Sequence, residues 1–161
     1  MSGTAPQLEP LHGPLSEVRI VLVHALWNPE VVSKLVSGCE RKLLDAGVPA
    51  PLKIAVPGAF EIPFACKRYL ESARENPPDA LIALGCVIRG GTPHFEFICQ
   101  AVTEGLIRVN LLFPVPVIFG VLTVDSLSQA MERAGGSQGH KGEEAAGTAL
   151  HMVGLNRNWN N

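Results

Sequence analysis

The chain has 161 residues, 15 acidic against 13 basic side chains, a formal net charge of -2, and is 47% hydrophobic but only 17% charged. That length suits one domain able to bury a core without disulfides or a structural metal. The charge balance argues against the basic stripe of a nucleic-acid binder, no apolar run is long enough for a membrane span, and so little charge on a small chain points to surface covered in a homo-oligomer.

Residues 1–14 carry three prolines and two glycines and lack the basic-then-apolar order of a signal peptide. They predict an irregular arm over 1–17, ahead of one domain over 18–161. Residues 18–25 (VRIVLVHA) are nearly all apolar and rich in β-branched side chains, as expected of a strand buried on both faces. Asn28-Pro29-Glu30 then offers an N-cap, a first-turn proline and an acid at the positive helix end, opening an amphipathic helix that stops at Gly47. Residues 52–56 read as a second strand, Pro57-Gly58 as a turn, and 60–74 as a second helix ended by Asn76-Pro77-Pro78.

Residues 80–88 (ALIALGCVI) form a third buried strand, followed by the loop Arg89-Gly90-Gly91-Thr92-Pro93 and a helix over 94–112. A fourth strand covers 116–122. Thr123-Val124-Asp125 leads into a helix through Arg133, a glycine-rich break covers 135–139, and a last helix runs over 141–155, before an Asn-rich terminus holding Trp159 that reads as disordered. Strands alternating with helices predict an α/β fold: a three-layer α/β/α sandwich around a four-stranded parallel sheet, flavodoxin-like.

In such sheets ligands bind beyond the carboxyl ends of the strands, so the unusual residues after each strand define the expected site. Trp27 follows a buried strand where an indole has no obvious core to fill, which suits either stacking on a flat ligand or an interface anchor. Glu61, in a helix's first turn, reads either as a carboxylate complementing the dipole or as an acceptor for the hydroxyls of a sugar-like chain. Gly90-Gly91-Thr92 offers backbone N–H groups and a hydroxyl at a helix start, suited to phosphate, although a plain turn with a Thr cap has the same letters. His94 follows that loop, where an imidazole can move protons near neutral pH. Arg133 and Lys141 flank the glycine-rich break, as phosphate-gripping or merely solvated cations. His24 reads as a core histidine. Cys39, Cys66, Cys86 and Cys99 sit in apolar or helical patterns without metal-ligand spacing, which predicts reduced thiols, no metal and a cytoplasmic location.

Taken together, Ala25-Leu-Trp-Asn28, Pro57-Gly-Ala-Phe-Glu-Ile-Pro63, Gly85-Cys-Val-Ile-Arg-Gly-Gly-Thr-Pro-His94, Phe119-Gly-Val-Leu-Thr123 and Arg133-Ala-Gly with Lys141-Gly-Glu-Glu-Ala-Ala146 resemble the lumazine synthase family. The resemblance spans 18–155. It implies a transferase of riboflavin biosynthesis that condenses 5-amino-6-ribitylaminouracil with 3,4-dihydroxy-2-butanone 4-phosphate, releasing phosphate and water, without a cofactor. It implies that Trp27, with Asn28 beside it, stacks on the heterocycle, that Glu61 and the backbone of Ala59 and Phe60 hold the ribityl hydroxyls, and that Val87 and Ile88 border the pyrimidine. Gly91, Thr92 and Arg133 would bind phosphate. His94 would move protons, with Glu144 a candidate carboxylate partner, and Phe119 and Arg133 would reach the site from an adjacent subunit of a pentamer-based assembly.

Three departures stand out against the family pattern. Trp27 replaces a common phenylalanine, which suggests riboflavin as a further ligand; Gly91 replaces an acidic residue or alanine; Ser137 and His140 replace lysine and asparagine at the phosphate end, leaving Lys141 or His140 to compensate. The alternatives from the same residues are a non-catalytic riboflavin-binding protein and a structural shell protein on this scaffold.

Overall fold

The computed structural model describes residues 14–159. The arm expected over 1–17 therefore lies outside the described residues up to residue 13, and Leu15–Glu17 forms one 3-10 turn. Four parallel strands follow: β1 (Ile20–Ala25), β2 (Leu52–Val56), β3 (Ala80–Ile88) and β4 (Val117–Val124), in the order β2-β1-β3-β4. Between and after them run α1 (Pro29–Asp45), α2 (Ile62–Ser72), α3 (His94–Leu112), α4 (Leu127–Arg133) and α5 (Lys141–Trp159). The three-layer α/β/α sandwich with a four-stranded parallel sheet is the observed fold.

Both faces of the sheet are apolar for a physical reason: each parallel connection lays a helix over it. On one face Val21, Val23 and Ala25 of β1 pack with Ile62, Cys66 and Leu70 of α2 and with Val102, Leu106 and Val109 of α3. On the other, Ile20 and Leu22 meet Cys39 and Leu43 of α1 and Ala145, Ala146 and Ala149 of α5. The alternation along β1 thus sends successive side chains into different cores. All four cysteines are free; Cys39, Cys66 and Cys86 are buried, as the apolar patterns predicted, whereas Cys99 is half-buried.

Four local readings change. Asn28 does not cap α1 with its side chain; it sits in the left-handed region (φ 56), and its amide is used elsewhere. β4 runs to Val124, because Thr123 and Val124 continue the register against Val87 and Ile88. The glycine-rich break is a small antiparallel hairpin, β5 (Ala134–Gly136) and β6 (Gly139–His140). Finally, Trp159 ends α5 rather than lying in an irregular tail, since Arg157 binds Asp79 (3.1 Å) and Asn156 Nδ2 donates to Pro114 O (2.9 Å), holding the last turns down.

The packing of β4 on β3 leaves no room at Gly120, where a Cβ would lie 2.6 Å from Leu84 Cδ2 and 2.9 Å from the Ala83 carbonyl oxygen. Gly120→Ala is expected to lower stability by about 1–3 kcal/mol in urea unfolding at fixed protein concentration. An unchanged midpoint would mean that the strands separate freely.

Candidate active site

The connection from β1 runs to one side of it and the connection from β2 returns to the other, so loops diverge between the carboxyl ends of β1 and β3. A crevice is expected there. It exists as a cavity of about 370 Å³ lined by Trp27, Asn28, Gly58, Ala59 and Phe60 from the ends of β1 and β2, Cys86, Val87 and Ile88 from β3, and His94 and Ile98 from α3. Six of the residues expected to bind the pyrimidine and ribityl groups, with the expected proton carrier, thus converge. Trp27 is 72% exposed at the rim, so its indole is not part of the core.

The floor is tied by Asn28, whose Nδ2 donates to Cys86 O at 2.9 Å and so joins the end of β1 to that of β3. Leu26 N and Trp27 N donate to Val56 O and Pro57 O, extending the β1–β2 pairing into the loop. Glu61 Oε2 accepts from Gly58 N at 2.8 Å, which shapes the turn that presents Ala59 and Phe60. Burial pushes the Cys86 thiol up to about 11, so this floor residue is neutral.

Gly91 and Thr92 are exposed on the loop ahead of α3. Thr92 does not cap that helix: Pro93 stands at the cap position and makes no side-chain cap bond. Arg89 tethers the loop. Its guanidinium pairs with Glu96 of α3 and with Asp125 beyond β4 (Nε to Oδ1 2.7 Å), and its Cζ stands 4.2 Å from the centre of the Phe95 ring. Glu96 first and Asp125 next hold Arg89 above its ordinary pKa, and Arg89 holds Glu96 below the usual carboxylate value.

The remaining candidates lie elsewhere. Phe119, Lys141 and Glu144 line a separate cavity of about 560 Å³ along the free edge of β4, with no lining residue in common with the first. Glu144 is the partner of Lys141 (2.6 Å), not of His94 within one chain. Arg133, at the end of α4, donates from its guanidinium to Gln129 O of its own helix (3.0 Å). His140 is packed against Gly38 and Gly135, which removes it as a substitute for the missing lysine. His24 is half-buried, its Nδ1 3.4 Å from Ala25 O, rather than a core group. Sequence reasoning passed over Ile98 and Cys86 as wall residues; Ile98 was findable, since it stands one turn after His94 on the same helix face.

The family model for 6,7-dimethyl-8-ribityllumazine synthase matches residues 17–157. The chain belongs to that family. Among relatives bearing the same name, one from Porphyromonas gingivalis is 50% identical over 143 residues, covering 88% of this chain and 87% of the relative. Others from Parabacteroides distasonis and Kineococcus radiotolerans are each 46% identical, covering 86% of this chain and 86% and 84% of their own lengths. Among the described residues no helix is long and apolar enough to cross a membrane.

Asn28 makes the geometry of this family member's floor testable. Asn28→Gly keeps the left-handed backbone and loses only the amide bond to Cys86 O, whereas Asn28→Ala loses the bond and strains the backbone by about 1–2 kcal/mol more. Urea unfolding of the two variants should show that order; equal stabilities would place no strain at residue 28.

Proposed function

We propose that the protein condenses 5-amino-6-ribitylaminouracil with 3,4-dihydroxy-2-butanone 4-phosphate to 6,7-dimethyl-8-ribityllumazine, releasing phosphate and water. In this reading it is a cytoplasmic transferase of riboflavin biosynthesis. The observation that carries it is the convergence of Trp27, the Gly58-Ala59-Phe60 turn, Val87, Ile88 and His94 on one cavity at the sheet's switch point, in a chain of this family.

The chemistry asks for three things: two reactants held together, protons moved, and a place for departing phosphate. The cavity walls and the Trp27 face hold the flat pyrimidine, while the Ala59 and Phe60 backbone and Glu61 hold the ribityl hydroxyls. The N–H groups of Gly91 and Thr92 at the start of α3 receive the phosphate, with the dipole of that helix in the favourable sense. His94, exposed at the same rim, shuttles protons as the amine attacks the ketone, phosphate leaves and the ring closes. Each step is redox-neutral, so no electron carrier is required, and proximity supplies most of the acceleration.

Phe119, Arg133, Lys141 and Glu144 complete the site from a neighbouring copy, in a pentamer-based homo-oligomer. Two features support this: the second cavity at the free edge of β4, and an exposed apolar stripe on α3 that includes Phe97 (68%) and Leu111 (80%), more than a small monomer ordinarily leaves in water.

Lumazine formation from the two substrates, followed by absorbance, tests the proposal. His94→Ala should lower kcat by about 10²-fold in a proximity-driven site. Arg133→Ala should raise KM for the butanone phosphate and spare KM for the pyrimidine. No turnover by the parent chain overturns the reading, and an undiminished His94→Ala removes that residue from it.

Riboflavin is a second ligand favoured by the exposed indole of Trp27. In a Trp159→Phe background, titrated riboflavin should quench the remaining tryptophan emission. Trp27→Ala should then weaken binding by about 1–3 kcal/mol, the range for bases on aromatic side chains. Equal affinity in the two proteins would make Trp27 an interface residue.

A further inference from the structure

Two glycine contacts hold the hairpin between α4 and α5 onto α1. The His140 imidazole lies against Gly38, in the middle of α1, so closely that a Cβ on Gly38 would stand 2.0 Å from its Cε1 and 2.2 Å from its Nε2. From the other side Gly135 (φ 107) closes on the ring, where a Cβ would stand 3.3 Å from His140 Cδ2. Two residues beyond His140, Gly142 sits on the Leu35 carbonyl, where any side chain would overlap backbone. Leu35 and Gly38 are one turn apart on α1, so these contacts set both the height and the rotation of the start of α5.

Each partner is unfavourable in its own element. Glycine inside a helix is disfavoured against alanine, and His140 Nδ1 is buried without a hydrogen-bond partner among the described residues. The mechanism uses neither residue, and what accounts for both is the fit of a bulky ring to a bare helix backbone. Arg133 immediately precedes the hairpin and Lys141 immediately follows it. Arg41 of α1 pairs with Glu143 of α5 beside the same seam.

We propose that the Gly38–His140 contact is a positioning device for the phosphate end of the site: it locks residues 134–140 onto α1 and so fixes Arg133 and Lys141 for the phosphorylated substrate. This rests on the reading of those cations given above. His140 acts through them and touches no substrate. The glycine at 38 and the ring at 140 are one fitted pair, so enlarging the first is compensated by shrinking the second.

The test is a double-mutant cycle of Gly38→Ala and His140→Asn in the full chain, with Arg133→Ala as reference, reading both KM values and the melting temperature. Gly38→Ala should lower the melting temperature, against the helix preference for alanine. It should raise KM for the butanone phosphate about tenfold and leave KM for the pyrimidine within about twofold. The double variant should return KM and melting temperature close to the parent values. A Gly38→Ala protein with a lower melting temperature and an unchanged phosphate KM overturns the proposal, as do equal rises in both KM values or a double variant without rescue. If Gly38→Ala does not fold, His140→Ala, which empties the contact without a clash, carries the same KM comparison. An Arg133→Ala protein with unchanged KM overturns the cation reading and this inference with it; a raised KM there beside an inert Gly38→Ala overturns the lock alone.

Discussion

Parallel neighbours need crossovers, and β1 is the strand around which the crossovers reverse. The connection through α1 reaches β2 on one side, and the connection through α2 returns to β3 on the other. Because such connections are right-handed, reversing their direction puts helices on opposite faces. α1 therefore packs on one core and α2 and α3 on the other. The same reversal opens the crevice at the carboxyl ends of β1 and β3, and the Asn28 amide, bonded to the Cys86 carbonyl, keeps its floor closed. Fold and site thus follow from one topological choice, which the two-sided apolar strands β1 and β3 make favourable.

The legible parts are those with a local cause. Residues 80–88 are a strand at the predicted position because a short apolar run bounded by a proline pair and a polar glycine loop is long enough to cross the sheet, and residues 52–56, interrupted by Lys53 and mostly exposed, are the edge strand paired with β1. Trp27 and His94 were placed at this end of the sheet by the rule for strand ends, Ala59, Phe60, Val87 and Ile88 by the family resemblance, and all six line one cavity. What was not legible depends on distant partners. Thr123 and Val124 look like a loop until Val87 and Ile88 are known to continue beside them. The hairpin 134–140 reads as a break because its shape depends on Gly38, about a hundred positions away, against which His140 lies. The letters Asn-Pro-Glu read as a cap, yet the Asn28 amide finds a better acceptor in Cys86 across the sheet.

The edge of β4 shows how a polar side chain can finish a sheet. Asn110 donates to Val117 O and accepts from Val117 N, both at 2.8 Å, so an amide from α3 occupies the first ladder position beyond the strand. Such edges are otherwise open to pairing with another chain. Past Asn110 the groove stays apolar, with Phe119 half in solvent and the Lys141–Glu144 pair at its rim. An apolar groove ending in a charged pair suits a protein neighbour better than water.

Charge around the first cavity carries the last step. A phosphorylated substrate brings about two negative charges, and its binding requires donors that are not already neutralised. Among the described residues the walls of the cavity contain no arginine, lysine or carboxylate, and His94 is their one nitrogen base. Arg89 is close in sequence to the phosphate loop, but two carboxylates occupy its guanidinium, so it serves the shape of the loop more than its charge. Backbone N–H groups at the start of α3 supply direction and partial charge only. In the proposed reaction a full cation comes from outside these walls. Within the proposed reaction, the guanidinium of Arg133 on a neighbouring copy meets that need, and its own internal bond, to a neutral carbonyl of Gln129, is weak enough to exchange for an anion.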